Sequence, residues 1–181
     1  MCAVLPQEGG GAVIPSDHFV RFYNEVFKYI VAKGPEEIRK YYDRVSKNQE
    51  YHCLNWFREK GLCGMYEYWE HIRIEENCDM ANHLEDDCYW FEFFSCPSLS
   101  KAVDNDAGAC PQYCNHCPGW ILPIMTKTGH FAVYNLISRT EPRCMMFVYR
   151  DRERAEKKKS ELIAQFGADV ILDNIAEVAA S

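Results

Sequence analysis

Asp87-Cys88-Tyr89-Trp90-Phe91-Glu92-Phe93-Phe94 is the stretch on which the fold turns. Five of its eight residues are aromatic, no Gly or Pro interrupts it, and bulky flat side chains suit a pleated, half-buried surface. We read it as a central strand. Upstream, His71-Ile72-Arg73-Ile74-Glu75 alternates apolar and polar residues, the period of a second strand, which would pair antiparallel with the first across a polar loop holding Asn82 and His83. Downstream, residues 130–138 and 144–150 read as a further pair around the turn Thr140-Glu141-Pro142. The expectation is a four-stranded antiparallel sheet.

Before the sheet the periodicity is helical. Ser16-Asp17 can cap a helix in which Phe19, Phe22, Tyr23, Val26, Phe27 and Ile30 recur at three-to-four spacing until Gly34. Pro35-Glu36-Glu37 has the chemistry of a second first turn, leading to Ile38, Tyr41, Tyr42 and Val45. A third helix is expected within residues 51–69, broken at Gly61 and Gly64. Between the strand pairs, Trp120 to Thr126 reads as a short helix. From Asp151 a charged run leads into Leu162, Ile163 and Phe166, the apolar side of a terminal helix, and residues 168–180 add a frayed turn or helix. The fold class is α+β. Residues 1–15, interrupted by Pro6 and Gly9-Gly10-Gly11, read as a disordered leader, followed by one domain over 16–181 with a helical part (16–69) and a sheet and cysteine-rich part (70–181).

Composition narrows the function. The chain has 181 residues, enough for a core without staples. Its ten cysteines would suggest a disulfide framework only in a short secreted chain, and no signal peptide or long apolar stretch is recognisable, so we expect a cytoplasmic protein with reduced thiols. The formal net charge of −7 disfavours nucleic acid and anionic membranes as partners and leaves small-molecule chemistry as the default. The sequence is silent on oligomeric state.

Chemistry concentrates in Cys96-Pro97, Cys110-Pro111-Gln112-Tyr113-Cys114-Asn115-His116-Cys117-Pro118 and Cys144. Cys110, Cys114 and Cys117 are spaced C-x3-C-x2-C, which puts three sulfurs on one helix face or wraps them around one ion in a loop. That spacing is also the cluster motif of radical S-adenosylmethionine enzymes, but the 64 residues after Cys117 are too few for the barrel such enzymes need. A plain metal site remains open, with Cys96, Cys110, Cys114 and Cys117, or His116, holding zinc or an iron–sulfur cluster. Cys2, Cys53, Cys63, Cys78 and Cys88 read as small buried apolar groups.

The segment from Phe93 to Val148 resembles the L-2-amino-thiazoline-4-carboxylic acid hydrolase-like family. The likeness is carried by Cys96-Pro97 after an apolar strand, Tyr113-Cys114-Asn115-His116-Cys117, Gly129 before a strand, and Pro142-Arg143-Cys144 opening the last strand. It covers about a third of the chain, and Cys110 and the aromatic first half are outside the family pattern. The resemblance implies a cytoplasmic α+β hydrolase or lyase acting on a C–N or C–S bond of a cysteine-derived, aminothiazoline-like substrate. Cys96, Cys114 and Cys117 are then the candidate thiolates, with His116 and His130 as assisting bases. Arg139, Arg143 and Trp120 are the candidate substrate-binding residues, the arginines through a carboxylate. The alternative is a cysteine-ligated metal or iron–sulfur protein with a redox or sensing function.

Overall fold

The computed structural model describes residues 17–104 and 106–180. The expected leader, residues 1–15, lies outside the described residues. Seven α-helices and one five-stranded sheet follow in an α+β order. Helices α1 (Asp17–Lys33), α2 (Pro35–Lys60) and α3 (Leu62–Glu75) come first, then strands β1 (Asp79–Leu84) and β2 (Cys88–Ser95). Next are α4 (Pro97–Val103), a 3-10 turn at Tyr113–Asn115, α5 (His116–Lys127), β3 (Phe131–Asn135) and β4 (Cys144–Tyr149). The chain closes with α6 (Arg152–Phe166), a short β5 (Ile171–Asp173) and α7 (Ile175–Ala180).

Local chemistry sets the helix ends. Gly34 takes φ 105°, a left-handed angle that lets α1 stop and α2 start at once, and Pro35 occupies the first turn of α2 where its missing N–H loses nothing. No Gly or Pro intervenes before Gly61, so α2 continues through residues 46–50, where the sequence reading had placed a break between two helices. Twenty-six residues span about 39 Å at the α-helical rise.

The stretch His71–Glu75 is the last turn and a half of α3, not a strand. Leu62, Met65 and Trp69 recur at helical spacing and are buried, and no breaker precedes Glu75, so a five-residue alternation is overridden by the helix already running. Its place at the sheet edge is taken by β1, the segment expected to be loop. There Met80 is buried, and Asn82 accepts a hydrogen bond from Tyr89 Oη at 2.8 Å while its amide donates to Glu70 at 3.3 Å.

All strand pairs are antiparallel, in the order β1-β2-β4-β3-β5. The sheet therefore has five strands rather than four, since β5 joins its far edge through Val133↔Asp173 and Tyr134↔Leu172. One face carries Tyr89, Phe91, Tyr134, Met146 and Val148 against α2, α3 and α5, where Phe57 and Trp69 stack with centroids 5.6 Å apart. The opposite face packs Cys88, Val133 and Tyr149 against Ala155 and Leu162 of α6. A third cluster joins Val20 and Phe27 of α1 to Leu99, Cys110 and Tyr113. Among the described residues no helix is long and apolar enough to cross a membrane.

Candidate functional site

The third cluster and the sheet meet at the ends of β2, β4 and α5, and the cysteine-rich segment runs through this junction. Cys96 is the N-cap of α4, its sulfur accepting from the Leu99 N–H at 3.5 Å, and Pro97 supplies the first helical position. The Cys96 N–H donates to Pro142 O at 2.6 Å, fastening the end of β2 to the loop before β4. Cys114 lies in the 3-10 turn, Cys117 in the first turn of α5, and Cys144 opens β4.

These four sulfur-bearing residues line one cavity of about 50 Å³. Tyr113, His116, Tyr134 and Arg143 contribute to the same wall. All four cysteines are free thiols. Tyr134 Oη and Cys144 Sγ stand 3.4 Å apart, and Tyr113 Oη shares a 2.6 Å hydrogen bond with Ser98 Oγ.

Burial governs the electrostatics. It raises all four thiols, Cys114 to about 12 and Cys117 well beyond the ordinary range, and at Cys114, Cys117 and Cys144 the neighbouring sulfurs add to the rise because a second thiolate beside the first is repelled. Burial also lowers His116 to about 4, so its imidazole is neutral at pH 7. That ring packs edge-on against Phe27 at 5.4 Å and lies near Tyr23 and Tyr41, and its Nδ1 is buried without a hydrogen-bond partner. A buried ring nitrogen with no partner is the kind of exception that calls for a ligand or a water.

The site residues expected from sequence divide into two groups. Cys96, Cys114, Cys117, His116 and Arg143 share the cavity wall, with Arg143 also paired to Glu92 at 2.9 Å. The others stand elsewhere. Cys110 is buried among Val20, Phe27 and Leu99 and is not on the cavity wall, so the C-x3-C-x2-C trio is divided. His130 bonds Thr128 Oγ1 at 3.0 Å beside Gly61 and Arg150, at the far end of α5. Trp120 packs against the main core. Arg139 donates to Asn115 Oδ1 at 2.8 Å and to the Asp169 carbonyl, bracing the turn behind Cys114 rather than entering the cavity.

Among the wall residues that had no site role in the sequence reading are Cys144, as a member of the thiol set, and Tyr134. Cys144 was visible as a cysteine opening a strand, and pairing that strand with the Cys96 strand would have brought the two together. Tyr134 carries no comparable signal. Cys53, Cys78 and Cys88 are buried thiols raised by their surroundings, as small apolar groups should be, whereas Cys63 is half-buried and disulfide-bonded rather than a small buried apolar group, and Cys2 lies outside the described residues. Among the described residues no three His, Cys, Asp or Glu side chains are arranged to hold a single metal ion. The chain matches none of the protein families, curated proteins or solved structures with which it was compared.

Proposed function

We propose that this chain is a cysteine-ligated metal protein whose centre is the set Cys96, Cys114, Cys117 and Cys144, with an iron–sulfur cluster as the occupant and a redox or sensing role. The observation that carries this reading is the convergence of four free thiols, from three separate segments, on one cavity of about 50 Å³. Such a space holds one or two water-sized groups, whereas organic ligands fill roughly 300–1,000 Å³. A compact inorganic occupant requires less widening of the wall than an organic ligand does. A single zinc needs all four sulfurs at about 2.3 Å, while a cluster spreads the four thiolates over two or more irons, so that the sulfurs stay further apart. The partnerless His116 nitrogen supports the same reading, because a cluster sulfur would accept a hydrogen bond from a proton on it. A cytoplasmic setting in which the four cavity thiols are reduced belongs to the proposal.

Anaerobic purification, or reconstitution with ferrous iron and sulfide, tests it. Expected are stoichiometric iron and sulfide and a broad visible absorption that bleaches on reduction. Protein that takes up neither iron nor any other thiophilic metal sinks the reading.

A second reading, hydrolysis of an aminothiazoline-like small molecule, is favoured by one observation: Arg143 stands on the wall that carries Cys144 and Cys117, where it could hold a substrate carboxylate. It requires the cavity to widen and a thiol to ionise. Turnover of 2-aminothiazoline-4-carboxylate by metal-free protein, lost in Cys114→Ser or Cys117→Ser, would support it.

A further inference from the structure

Helix α1 is apolar on more sides than the fold uses. Val20 and Phe27 turn inward to the cluster with Leu99 and Tyr113. Two residues on from each, and so on the opposite side of the helix, Phe22 and Tyr29 stand 63% and 64% exposed. Phe22, Val26, Tyr29 and Lys33 follow one another at helical spacing, so the outer side carries one continuous stripe. From Phe22 to Lys33 it runs about 17 Å at the α-helical rise. Scattered exposed apolar residues need no explanation, but a file of large ones marks a contact surface.

The stripe forms one wall of a groove. Tyr29, Ile30 and Lys33 of α1 and Lys40, Arg44 and Lys47 of α2 line the same cavity of about 720 Å³. The α2 wall also repeats at helical spacing, but it is cationic. Two acids lie on the groove, and both are engaged: Glu37 takes Lys40 at 2.8 Å and Asp43 takes Arg39 at 3.6 Å. Lys33 sits over the Tyr29 ring, 4.9 Å from its centre. Lys33, Arg44 and Lys47 have no carboxylate partner among the described residues. On a chain of net charge −7 this groove is a local excess of positive charge.

An apolar wall beside a cationic wall is complementary to a helix whose apolar stripe is flanked by acidic residues. A small anion would leave the length of the stripe uncovered. A flat bilayer would reach the rims of a concave groove and not its walls, and a second copy would bring one cationic groove against another. We propose that the α1–α2 groove docks an acidic amphipathic helix of a partner protein, with its apolar residues on Phe22, Tyr29 and Ile30 and its carboxylates on Lys33, Arg44 and Lys47. The proposal is independent of the thiol centre.

The probe is a fluorescein-labelled synthetic helix of about eighteen residues, five turns, with Leu and Phe at three-and-four spacing and Glu along one flank. Its binding to the full chain is read by fluorescence anisotropy, beside a peptide with Lys in place of Glu and one with Ser in place of Leu and Phe. The acidic amphipathic peptide should bind about tenfold more tightly than either, and its affinity should fall between about 50 and 300 mM salt. Arg44→Glu combined with Lys47→Glu should reverse the preference between Glu and Lys peptides. Phe22→Ser combined with Tyr29→Ser, both at exposed positions, should weaken the acidic peptide about tenfold with circular dichroism unchanged. Reversal of two cations elsewhere, Arg58→Glu with Lys157→Glu, should leave binding as in the wild type. An acidic peptide that binds no more tightly than its Lys counterpart overturns the assignment, as does one whose binding ignores the Arg44 and Lys47 reversal. Vesicles of phosphatidylserine and phosphatidylcholine that capture the protein through Phe22 and Tyr29 would make the surface a membrane contact instead. A dimer in sedimentation equilibrium that Phe22→Ser dissolves would make the occupant a second copy, and either result overturns the acidic helix.

Discussion

Cys144 stands opposite Phe93 across β2 and β4, and this pairing brings its sulfur to the cavity that Cys96 enters three residues beyond Phe93. The thiol centre is therefore built on sheet register. A slip of one residue in β4 would turn Cys144 to the opposite face, because side chains alternate along a strand.

Tyr134 holds Cys144 from the neighbouring strand through its 3.4 Å contact. Removing that hydroxyl in Tyr134→Phe leaves the ring packed and breaks one buried hydrogen bond, which should cost about 1 kcal/mol and lower the melting temperature by a few degrees. A calorimetric scan checks this, and a variant as stable as the wild type would mean the contact contributes nothing.

Asn24 ties α1 to the loop before the cysteine turn. It is fully buried, donates to Gly108 O at 2.8 Å and accepts from Cys110 N at 2.7 Å. Asn24→Ala strands both backbone groups, so a loss on the order of 2–4 kcal/mol is expected in urea unfolding, with the loop at 106–110 gaining hydrogen exchange first. Asn24→Asp should recover the bond to the Cys110 N–H but not the bond to Gly108 O. If both variants unfold at the wild-type midpoint, the bridge is not a support of the site.

How far the sequence reveals this molecule depends on how local each signal is. The helix ends at Gly34 and Gly61, the aromatic strand around Phe91 and the helix from Arg152 are all written in neighbouring residues. Strand β1 is not, because Asp79-Met80-Ala81-Asn82-His83-Leu84 has little strand propensity and is held by β2 and by the Glu70–Asn82–Tyr89 bonds. Cys114, His116 and Cys117 were legible as one group because a turn of chain holds them. The exchange of Cys110 for Cys144 was not, since spacing along the chain says nothing of which strand lies alongside.

His116 makes stability depend on pH. Its folded value, about 4, lies below the ordinary 6.5, so between these values the unfolded chain binds more protons than the folded one. Stability should therefore fall as pH drops from about 6.5 towards 4, by about 1.4 kcal/mol per pH unit at most. Replacing the ring by another apolar aromatic, His116→Phe, removes this proton uptake. The variant should be more stable than the wild type at pH 5 and gain less at pH 7.5, read from denaturant midpoints. An acid limb of the same slope in both proteins would assign the effect to other groups.

The choice between Cys110 and Cys144 decides whether chain spacing or spatial arrangement defines the centre. Cys110 belongs to the motif C-x3-C-x2-C but is buried against Val20, Phe27 and Leu99, whereas Cys144 comes from a distant strand and shares the cavity with Cys96, Cys114 and Cys117. Serine is nearly isosteric with cysteine but is a poor ligand for soft metals. Cys144→Ser should therefore lose the visible absorption of the reconstituted protein or bind iron substoichiometrically, and Cys96→Ser, Cys114→Ser and Cys117→Ser should do likewise. Cys110→Ser should keep the wild-type spectrum and iron content, at a stability cost of about 1 kcal/mol for placing a hydroxyl in an apolar cluster. If Cys110→Ser bleaches the protein while Cys144→Ser leaves it coloured, the ligand set is the sequential one, and the cavity at the end of β4 is a packing defect rather than a metal centre.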